Sequence, residues 1–428
     1  MTRFKIAGVV AGGLVLVLAL SGCGRSDTPT GEASAGATIA DSPATGTISV
    51  WAMGTEGELL PELVKEFEEA NPDATVQVTA VPWQDYAKKV ETAVASGSTP
   101  DATMVGSSDL AGFAAAGGLD VVPEGLVDTD SFFPGATSAA DFNGTAYAVP
   151  FYVETRSLFF RKDLAEAAGR SAPTTWEELT EFGKALQAEG ATWGASLPTG
   201  APYSWQGVLP FMWQAGAKLT NEDNTQFTID TPEALEGLTQ YQSLIVDGIA
   251  SANGPVALGE LEPKFIANEV GSFVSGPWEM GLLTQAGGEA FVDDSVGLAV
   301  LPSGPVDNAS YIGGGHFAVF KDAENRDGAW KFVRWLSEET TQQEWFDISG
   351  DLPAVESAWD GGSLSDNAFL QVFRDQLGTA QPAPAVTTWV QVSAAIDAEI
   401  EKVAKGVSTP EDALAAMQAA ADKIGTGN

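Results

Sequence analysis

Hydrophobic and polar residues alternate along the chain from Gly46 onward in two rhythms, one typical of strands and one typical of helices. Residues 47–51 form a short run of β-forming residues, whereas the apolar positions of 59–70 recur along one helix face and stop at Asn71-Pro72. The pattern then predicts a strand at 75–79, a helix at 84–96 and a strand at 101–105. This βαβαβ order is typical of a mostly parallel sheet covered by helices.

A second block of alternating elements follows between residues 149 and 301. It contains a strand at 156–161, a helix to about Glu189 that opens with a capping box of Thr175 and Glu178, and a helix that Thr231-Pro232 opens before Gly248. Late helices are predicted at 326–336, 340–348, 390–404 and 409–424. Because the second block has its own strands and helices, two α/β lobes fit the pattern better than one large sheet.

The first 22 residues have the pattern of an export signal. Arg3 and Lys5 precede an uncharged run of apolar residues and glycine at 6–20, which is shorter than the roughly 20 residues that a spanning helix needs. The run ends in Leu20-Ser-Gly-Cys23, which resembles the bacterial lipobox, where the signal is cut before a cysteine that is then acylated. We therefore predict a lipoprotein signal peptide at 1–22 and lipidation of Cys23. The alternative is a simple secretory signal followed by an incidental cysteine.

Residues 24–46 form a stretch rich in Gly, Ser, Thr, Ala and Pro, in which Ile39 is the one large apolar residue. Such a segment cannot bury enough surface to offset the entropy of ordering. We therefore predict an acylated cysteine and a flexible tether at 23–46. The protein is expected outside the cytoplasm, anchored to the outer face of the cell membrane by the lipid on Cys23.

The composition narrows the classes of function. With 21 Lys and Arg against 58 Asp and Glu, the formal net charge is −37, which argues against nucleic acid as a partner. Hydrophobic residues make up 44% of the chain and charged residues 18%, as in a globular protein. The one cysteine and the one histidine, His316, leave no intramolecular disulfide and no zinc site built from His and Cys. No metal or cofactor is expected.

The sequence carries no catalytic motif above background. His316 could act as the base of a catalytic triad, but the sequence has no Gly-x-Ser-x-Gly motif to supply the nucleophilic serine. Neither a phosphate-binding Gly-x-x-x-x-Gly-Lys loop nor a Gly-x-Gly-x-x-Gly motif occurs. A carboxylate pair for glycoside hydrolysis stays open among the 58 acids, because its spacing exists only in three dimensions.

Aromatic and polar residues cluster in predicted loops. Trp176, Trp330, Trp335 and Trp345 lie on predicted helices at core-compatible spacing, whereas Trp51, Trp205 and Trp278 stand at a strand end or in a loop. Mixed clusters occur at 51–56, 154–156, 203–206 and 276–279. Sugars suit such clusters, because their C–H faces pack on aromatic rings while their hydroxyls bond to carboxylate, guanidinium and amide groups.

Several segments, in order, resemble extracellular solute-binding proteins of the maltose-binding type. These are Ile48-Ser-Val-Trp-Ala-Met-Gly-Thr-Glu-Gly57, Phe67-Glu-Glu-Ala-Asn-Pro-Asp73, Ser98-Thr-Pro-Asp101, Asn143-Gly-Thr-Ala-Tyr-Ala-Val-Pro150, Arg161-Lys-Asp-Leu164, Ser275-Gly-Pro-Trp278 and Gly350-Asp-Leu-Pro353. The resemblance runs over residues 47–425, and the order and spacing of the segments make it specific.

The resemblance implies a two-lobe α/β fold of type II, like that of periplasmic binding proteins. Each lobe is expected to hold a mostly parallel sheet flanked by helices, and three hinge crossings join the lobes. By that pattern the first lobe is 47–153 plus 303–336, and the second is 154–302 plus 337–428. The function implied is that of a monomeric receptor, not an enzyme. It captures a sugar or oligosaccharide between its lobes and delivers it to the permease subunits of an ABC importer.

The same resemblance places the substrate-binding residues. They are Met53, Glu56, Ser107, Asp109, Glu154, Arg156, Tyr203, Trp205, Trp278, Glu279, Gly314, His316 and Asp351. Maltose-type members often carry a charged pair in the first loop, whereas Thr55-Glu56 offers one acid, which argues against a maltodextrin ligand. Two alternatives remain open: a surface glycosidase, and the same fold binding a non-sugar solute such as a polyamine.

Overall fold

A computed structural model describes residues 38–254 and 259–427 of the chain. The predicted signal peptide, Cys23 and residues 24–37 of the predicted tether lie outside these ranges. Within the described residues, no helix has the length and apolar character needed to cross a membrane.

The described residues form strands and helices in alternation. The strands are β1 (Gly46–Met53), β2 (Ala74–Val81), β3 (Ala102–Gly106), β4 (Asp141–Phe142), β5 (Thr145–Ala146), β6 (Val149–Thr155), β7 (Ser157–Arg161), β8 (Ser272–Ser275), β9 (Val296–Ala299), β10 (Ser310–Val319), β11 (Leu352–Pro353) and β12 (Ala380–Gln381). The helices are α1 (Gly54–Ala70), α2 (Trp83–Ser96), α3 (Leu110–Ala115), α4 (Pro134–Ala139), α5 (Lys162–Ala167), α6 (Trp176–Ala188), α7 (Trp205–Gln214), α8 (Pro232–Val246), α9 (Leu261–Ile266), α10 (Glu279–Gly287), α11 (Glu289–Ser295), α12 (Arg326–Leu336), α13 (Glu339–Ser349), α14 (Gly362–Asp366), α15 (Ala368–Leu377), α16 (Trp389–Ala404) and α17 (Pro410–Ile424). Single 3-10 turns lie at Thr129–Ser131 and Glu356–Asp360.

The large sheet has seven strands. Six of them lie in the order β11-β6-β10-β3-β1-β2, and the seventh, β12, pairs with β10. Strand β1 pairs in parallel with β2 and β3, as the βαβαβ pattern predicts. Strand β10 runs antiparallel to both β3 and β6, and β11 runs antiparallel to β6. This sheet is therefore mixed: parallel in its first part and antiparallel where the later chain returns to it.

The small sheet has the order β8-β7-β9, and both of its ladders are antiparallel. Isolated parallel bridges at Trp193, Ala195 and Ser196 extend it on the β8 side. The expectation of a mostly parallel sheet in each lobe is wrong for these ladders. The reason is topological, because β7 carries the chain into this half of the molecule and β9 carries it back toward the large sheet.

Two large hydrophobic cores lie within the described residues. The first packs Phe67, Phe151, Trp330 and Trp345 around the large sheet and also includes Phe159 and Phe273 of the small sheet. The second is built from α7, α8, α16 and α17, whose buried side chains meet around Tyr241. Trp330 and Trp345 are buried, and Trp176 and Trp335 pack against the cores while partly exposed, so the four helical tryptophans have the packing role that their spacing predicts.

The predicted lobe boundaries need two corrections. Helix α13 packs on α1, and β11 joins the large sheet, so this part of 337–428 belongs with the first half of the molecule. The cause is the apolar face of α13, where Trp345 lies 5.0 Å from the ring of Phe151. Conversely, residues 303–309 pack on the second half, where the amide of Val306 donates to the carbonyl of Gln214. The second half keeps α16 and α17, which pack with α7 and α8.

The last residues of the predicted tether are docked on the folded body. Ala44 is buried, and its amide donates to the Asn71 side chain at 2.8 Å. Asp41 pairs with Arg334 at 3.0 Å, and Lys331 donates to Ser42. The predicted free tether is thus wrong for residues 38–46, because these polar contacts and one buried alanine hold the segment against α12.

Candidate functional site

Trp278 stands between two cavities. It precedes α10 and is 40% exposed, which is unusual for so large an apolar side chain. On one side lies a cavity of about 310 Å³, lined mainly by residues 196–207 and 273–279. On the other lies a cavity of about 350 Å³, where Trp278 faces Tyr152, Glu154 and Asp351 of the large-sheet half. The second cavity is therefore formed by both halves of the molecule.

Arg156 joins the two halves at this point. It lies in the crossing between β6 and β7, is only 8% exposed, and holds its guanidinium 4.6 Å from the Trp278 ring centroid. One nitrogen donates to Gln206 at 2.7 Å and to Glu154 at 3.2 Å, and the Tyr311 ring lies 5.5 Å away. The guanidinium thus lies over two rings, and its hydrogen bonds fix its orientation.

Gly276 makes the position of the Trp278 ring possible. A Cβ at residue 276 would lie 2.1 Å from the six-membered part of the indole, closer than any side chain permits. The ring therefore lies directly over the Gly276 backbone, and the sequence pattern Gly-Pro-Trp has a steric cause. Ser275 lines the same cavity and donates to Glu279 at 2.8 Å.

The large-sheet half contributes carboxylates around Tyr152. The Tyr152 hydroxyl donates to Glu56 at 2.9 Å. Asp351 directly follows Gly350, which ends α13 in the left-handed backbone conformation. Burial, with the nearby charges of Glu56 and Glu154, raises the pKa of Asp351 to about 8. At neutral pH this carboxyl keeps its proton and can donate a hydrogen bond, whereas its neighbour Glu154 is paired with Arg156.

The predicted Ser107 and Asp109 follow β3, beside two aromatic residues that the sequence reasoning missed. Tyr86 donates to Asp109 at 2.5 Å, and the exposed Trp83 packs edge-to-face on Tyr86 with centroids 5.5 Å apart. Burial raises the pKa of Asp109. The signal that could have found both rings is Trp83-Gln-Asp-Tyr86 at the start of a helix whose preceding strand ends beside Met53.

Two of the predicted aromatic residues, Tyr203 and Trp205, have opposite surroundings. Tyr203 is 68% exposed and lines the 310 Å³ cavity together with Gln206. Trp205 is only 2% exposed and packs edge-on against Trp389 and Tyr311. The prediction that Trp205 could contact ligand is therefore wrong, because α7 begins at this residue and turns its side chain into the second core.

Six further predicted residues are not among those that line the two cavities: Met53, Glu56, Ser107, Asp109, Gly314 and His316. Met53 and His316 are buried, and the predicted contact of either side chain with ligand is wrong for this reason. Gly314 lies on β10 with a φ of 135°, and its carbonyl accepts the Ser107 amide, so it supports the segment after β3 through backbone contacts.

Glu279 is a buried carboxylate at the floor of the 310 Å³ cavity. Burial raises its pKa to about 7, and nearby Glu262 adds to the effect. Its second oxygen has no hydrogen-bond partner within the described part of the chain. Among the described residues, no group of three or more His, Cys, Asp or Glu side chains could hold a metal ion.

The chain is similar to known binding proteins over most of its length. The family model of bacterial extracellular solute-binding proteins matches residues 52–343. The diacetylchitobiose-binding protein of Streptomyces coelicolor is 24% identical over 408 residues, which are 92% of this chain and 91% of that protein.

Solved structures give the same picture. The sugar-binding protein of the phytopathogen Xanthomonas citri has a TM-score of 0.83 at 28% identity, covering 89% of this chain and 97% of that one. The cyclic α-maltosyl-1,6-maltose-binding protein of Arthrobacter globiformis has a TM-score of 0.78 at 26% identity, covering 89% of this chain and 99% of that one.

Proposed function

Because the chain belongs to the bacterial extracellular solute-binding protein family, we propose that it is the substrate-binding receptor of an ABC importer. In this proposal it captures a sugar, most suitably an oligosaccharide, between its two lobes and delivers it unchanged to the permease subunits. Its relatives include proteins named for binding diacetylchitobiose, maltotriose and galactooligosaccharide, which defines the class of ligand to test.

The observation that carries the proposal is the position of Trp278. Its ring is exposed between two cavities and lies beside a stacked guanidinium and the carboxyl groups of Glu154 and Asp351. An aromatic face surrounded by fixed polar groups suits the C–H faces and hydroxyls of sugars. Because the 350 Å³ cavity has walls from both halves of the molecule, a sugar bound there would hold the halves together.

The experiment is titration calorimetry of the protein with maltotriose, diacetylchitobiose and galactooligosaccharide, followed by recovery of the sugar. We expect at least one sugar to bind and to be recovered intact. Trp278→Ala should weaken its binding by about 5- to 150-fold, since an aromatic stacking surface contributes on the order of 1–3 kcal/mol.

The control is Trp335→Ala, which removes a partly buried tryptophan that packs on Phe67 and Phe332 and lines neither cavity. It should lower the melting temperature without changing affinity. If Trp278→Ala instead destabilises the unliganded protein by several kcal/mol and leaves affinity unchanged, Trp278 is a packing residue. Cleavage of the sugar would favour the glycosidase alternative.

We also propose that lipid on Cys23 anchors the protein to the outer face of the cell membrane, on the strength of the Leu20-Ser-Gly-Cys23 motif. Cys23→Ala should abolish membrane retention in a high-salt wash while leaving sugar affinity unchanged, because the substitution lies far outside the folded lobes in sequence. Equal retention of wild type and variant would contradict the anchor.

A further inference from the structure

Tyr203 is held in a backbone conformation that a side chain seldom adopts. Its φ is 69°, in the left-handed region, and its ring is largely exposed at the 310 Å³ cavity. A tyrosine in this conformation is strained, and it persists only where the surrounding structure holds it. The contacts that hold this residue therefore bear on where its ring is presented.

Asp397 on α16 supplies those contacts. One carboxylate oxygen accepts the Tyr203 amide at 2.9 Å, and the other accepts the Trp205 amide at 2.8 Å. The side chain is buried, with the residue only 7% exposed. Ser204, in the N-cap position of α7, makes no cap bond, because its hydroxyl accepts the Gly200 amide. The helix therefore takes its N-terminal acceptor from a residue almost 200 positions later.

Two more contacts tie the loop to the same helix. Gly200 has a φ of 99°, and a Cβ there would lie 2.3 Å from the Cβ of Glu401, one helical turn beyond Asp397. The Trp205 ring packs edge-on against Trp389 at the start of α16, with centroids 5.2 Å apart. Helix α16 thus contacts the loop of residues 200–205 at three points along its length.

We propose that Asp397 is a positioning residue for ligand binding, which holds Tyr203 in its strained conformation so that the ring faces the cavity. This inference rests on the proposed function, since it assigns Tyr203 a ligand to contact. Asp397 is not among the residues that line the cavity, so it acts on the ligand through Tyr203 and not by contact. The competing explanation is that Asp397 only caps α7 and stabilises the fold.

A double-mutant cycle separates the two explanations. Affinity is measured by calorimetry with whichever of maltotriose, diacetylchitobiose and galactooligosaccharide binds wild type most tightly. Tyr203→Ala and Asp397→Ala should each weaken binding about 5- to 50-fold. Because both substitutions remove the same ligand contact, the affinity of the double variant should be at most about 2-fold below that of the single variant with the lower affinity. Asp397→Asn, which keeps one acceptor oxygen, should recover part of the loss.

The matched control is Thr231→Ala, which removes the hydroxyl that caps α8 in the same half of the molecule. It should lower the melting temperature as Asp397→Ala does, with affinity unchanged. In Asp397→Ala, native-state hydrogen exchange should speed up at the Tyr203 and Trp205 amides.

Three outcomes overturn the inference while leaving the proposed function intact. The first is unchanged affinity in Asp397→Ala, the second is full additivity with Tyr203→Ala, and the third is unchanged exchange at the two amides. If wild type binds none of the three sugars, the proposed function fails instead, and the calorimetry of wild type alone reveals this before any variant is made.

Discussion

His316 is the buried titratable residue with the clearest consequence for stability. Its Nε2 lies 3.0 Å from the carbonyl oxygen of Ala136, and its Nδ1 has no partner in the described ranges. Burial lowers the pKa of His316 from 6.5 to about 4. The folded protein therefore binds fewer protons at this ring than the unfolded chain does, and stability is lost as pH falls through this window.

Between pH 7 and pH 5, we expect the free energy of unfolding of wild type to fall by about 2 kcal/mol more than that of His316→Gln. A proton that binds only the unfolded chain lowers this free energy by about 1.4 kcal/mol per pH unit. Glutamine can donate to Ala136 but does not titrate. Urea unfolding of both proteins at the two pH values measures the difference. Glu279 and Asp351, whose pKa values are raised, change stability in the opposite direction, but equally in both proteins. A constant difference would show that the pKa of His316 is the same in the folded protein as in the unfolded chain.

At the residue scale, the sequence did not show the direction in which each candidate side chain points. Tyr203 and Trp205 belong to one short motif, yet one lines a cavity and the other fills the second core. The difference follows from the left-handed backbone of Tyr203 and the carboxylate of Asp397. Neither a positive φ at a tyrosine nor a contact across 194 residues leaves a local pattern in the sequence.

At the element scale, each predicted helix is present because its signals are local, whereas α7, α10 and α15 were not predicted. The prediction of 326–336 coincides with α12, whose N-cap Asn325 accepts the Gly328 amide. One half of the predicted capping box before α6 is also confirmed, since the Thr175 hydroxyl accepts the Glu178 amide. The return bond differs, because the Glu178 carboxylate accepts from Thr174 rather than from Thr175.

Strand pairing was predicted only in part, because it depends on residues far apart in sequence. The parallel ladders of β1 with β2 and β3 follow from the βαβαβ order. The antiparallel insertion of β10 between β3 and β6 does not, and it joins Gly315 to Tyr152 across more than 160 positions. Close approach there depends on the missing side chain, since a Cβ at Gly314 would lie 2.1 Å from the Tyr152 carbonyl oxygen.

At the scale of the whole molecule, the expected two-lobe α/β fold of type II periplasmic binding proteins is confirmed by the similarity to solved sugar-binding proteins. The family resemblance seen in the sequence is confirmed as well. The lobe boundaries were the weak part, because they depend on which core buries α13 and β11. Helical periodicity shows that Trp345 is buried but does not show against which sheet.

Arg156 connects the halves in a molecule that is strongly acidic. Among the residues that line the two cavities, it is the one Lys or Arg, whereas Glu154, Glu262, Glu279 and Asp351 are acids. Its guanidinium contacts Gln206 and Trp278 of the second half while its backbone lies in the crossing from β6. The pair of Arg156 with Glu154 is not an exposed surface ion pair, because the arginine side chain is buried and lies over the rings of Trp278 and Tyr311.

A ligand that contacts both halves stabilises the closed form only by its differential affinity for closed over open. Removing the guanidinium takes away a planar group whose N–H donors can bind two hydroxyls. It also removes the hydrogen bonds that Arg156 donates to Glu154 and Gln206. Arg156→Ala should therefore weaken sugar binding at least 10-fold and reduce the ligand-induced compaction measured by small-angle scattering. Arg156→Lys should recover only part of the affinity and of the compaction, since an ammonium group cannot donate two parallel hydrogen bonds as a guanidinium does.

The control is Arg374→Ala, which breaks the exposed pair with Asp360 and should change neither affinity nor compaction. Full affinity together with full compaction in Arg156→Ala would mean that the sugar closes the lobes from a different part of the cleft.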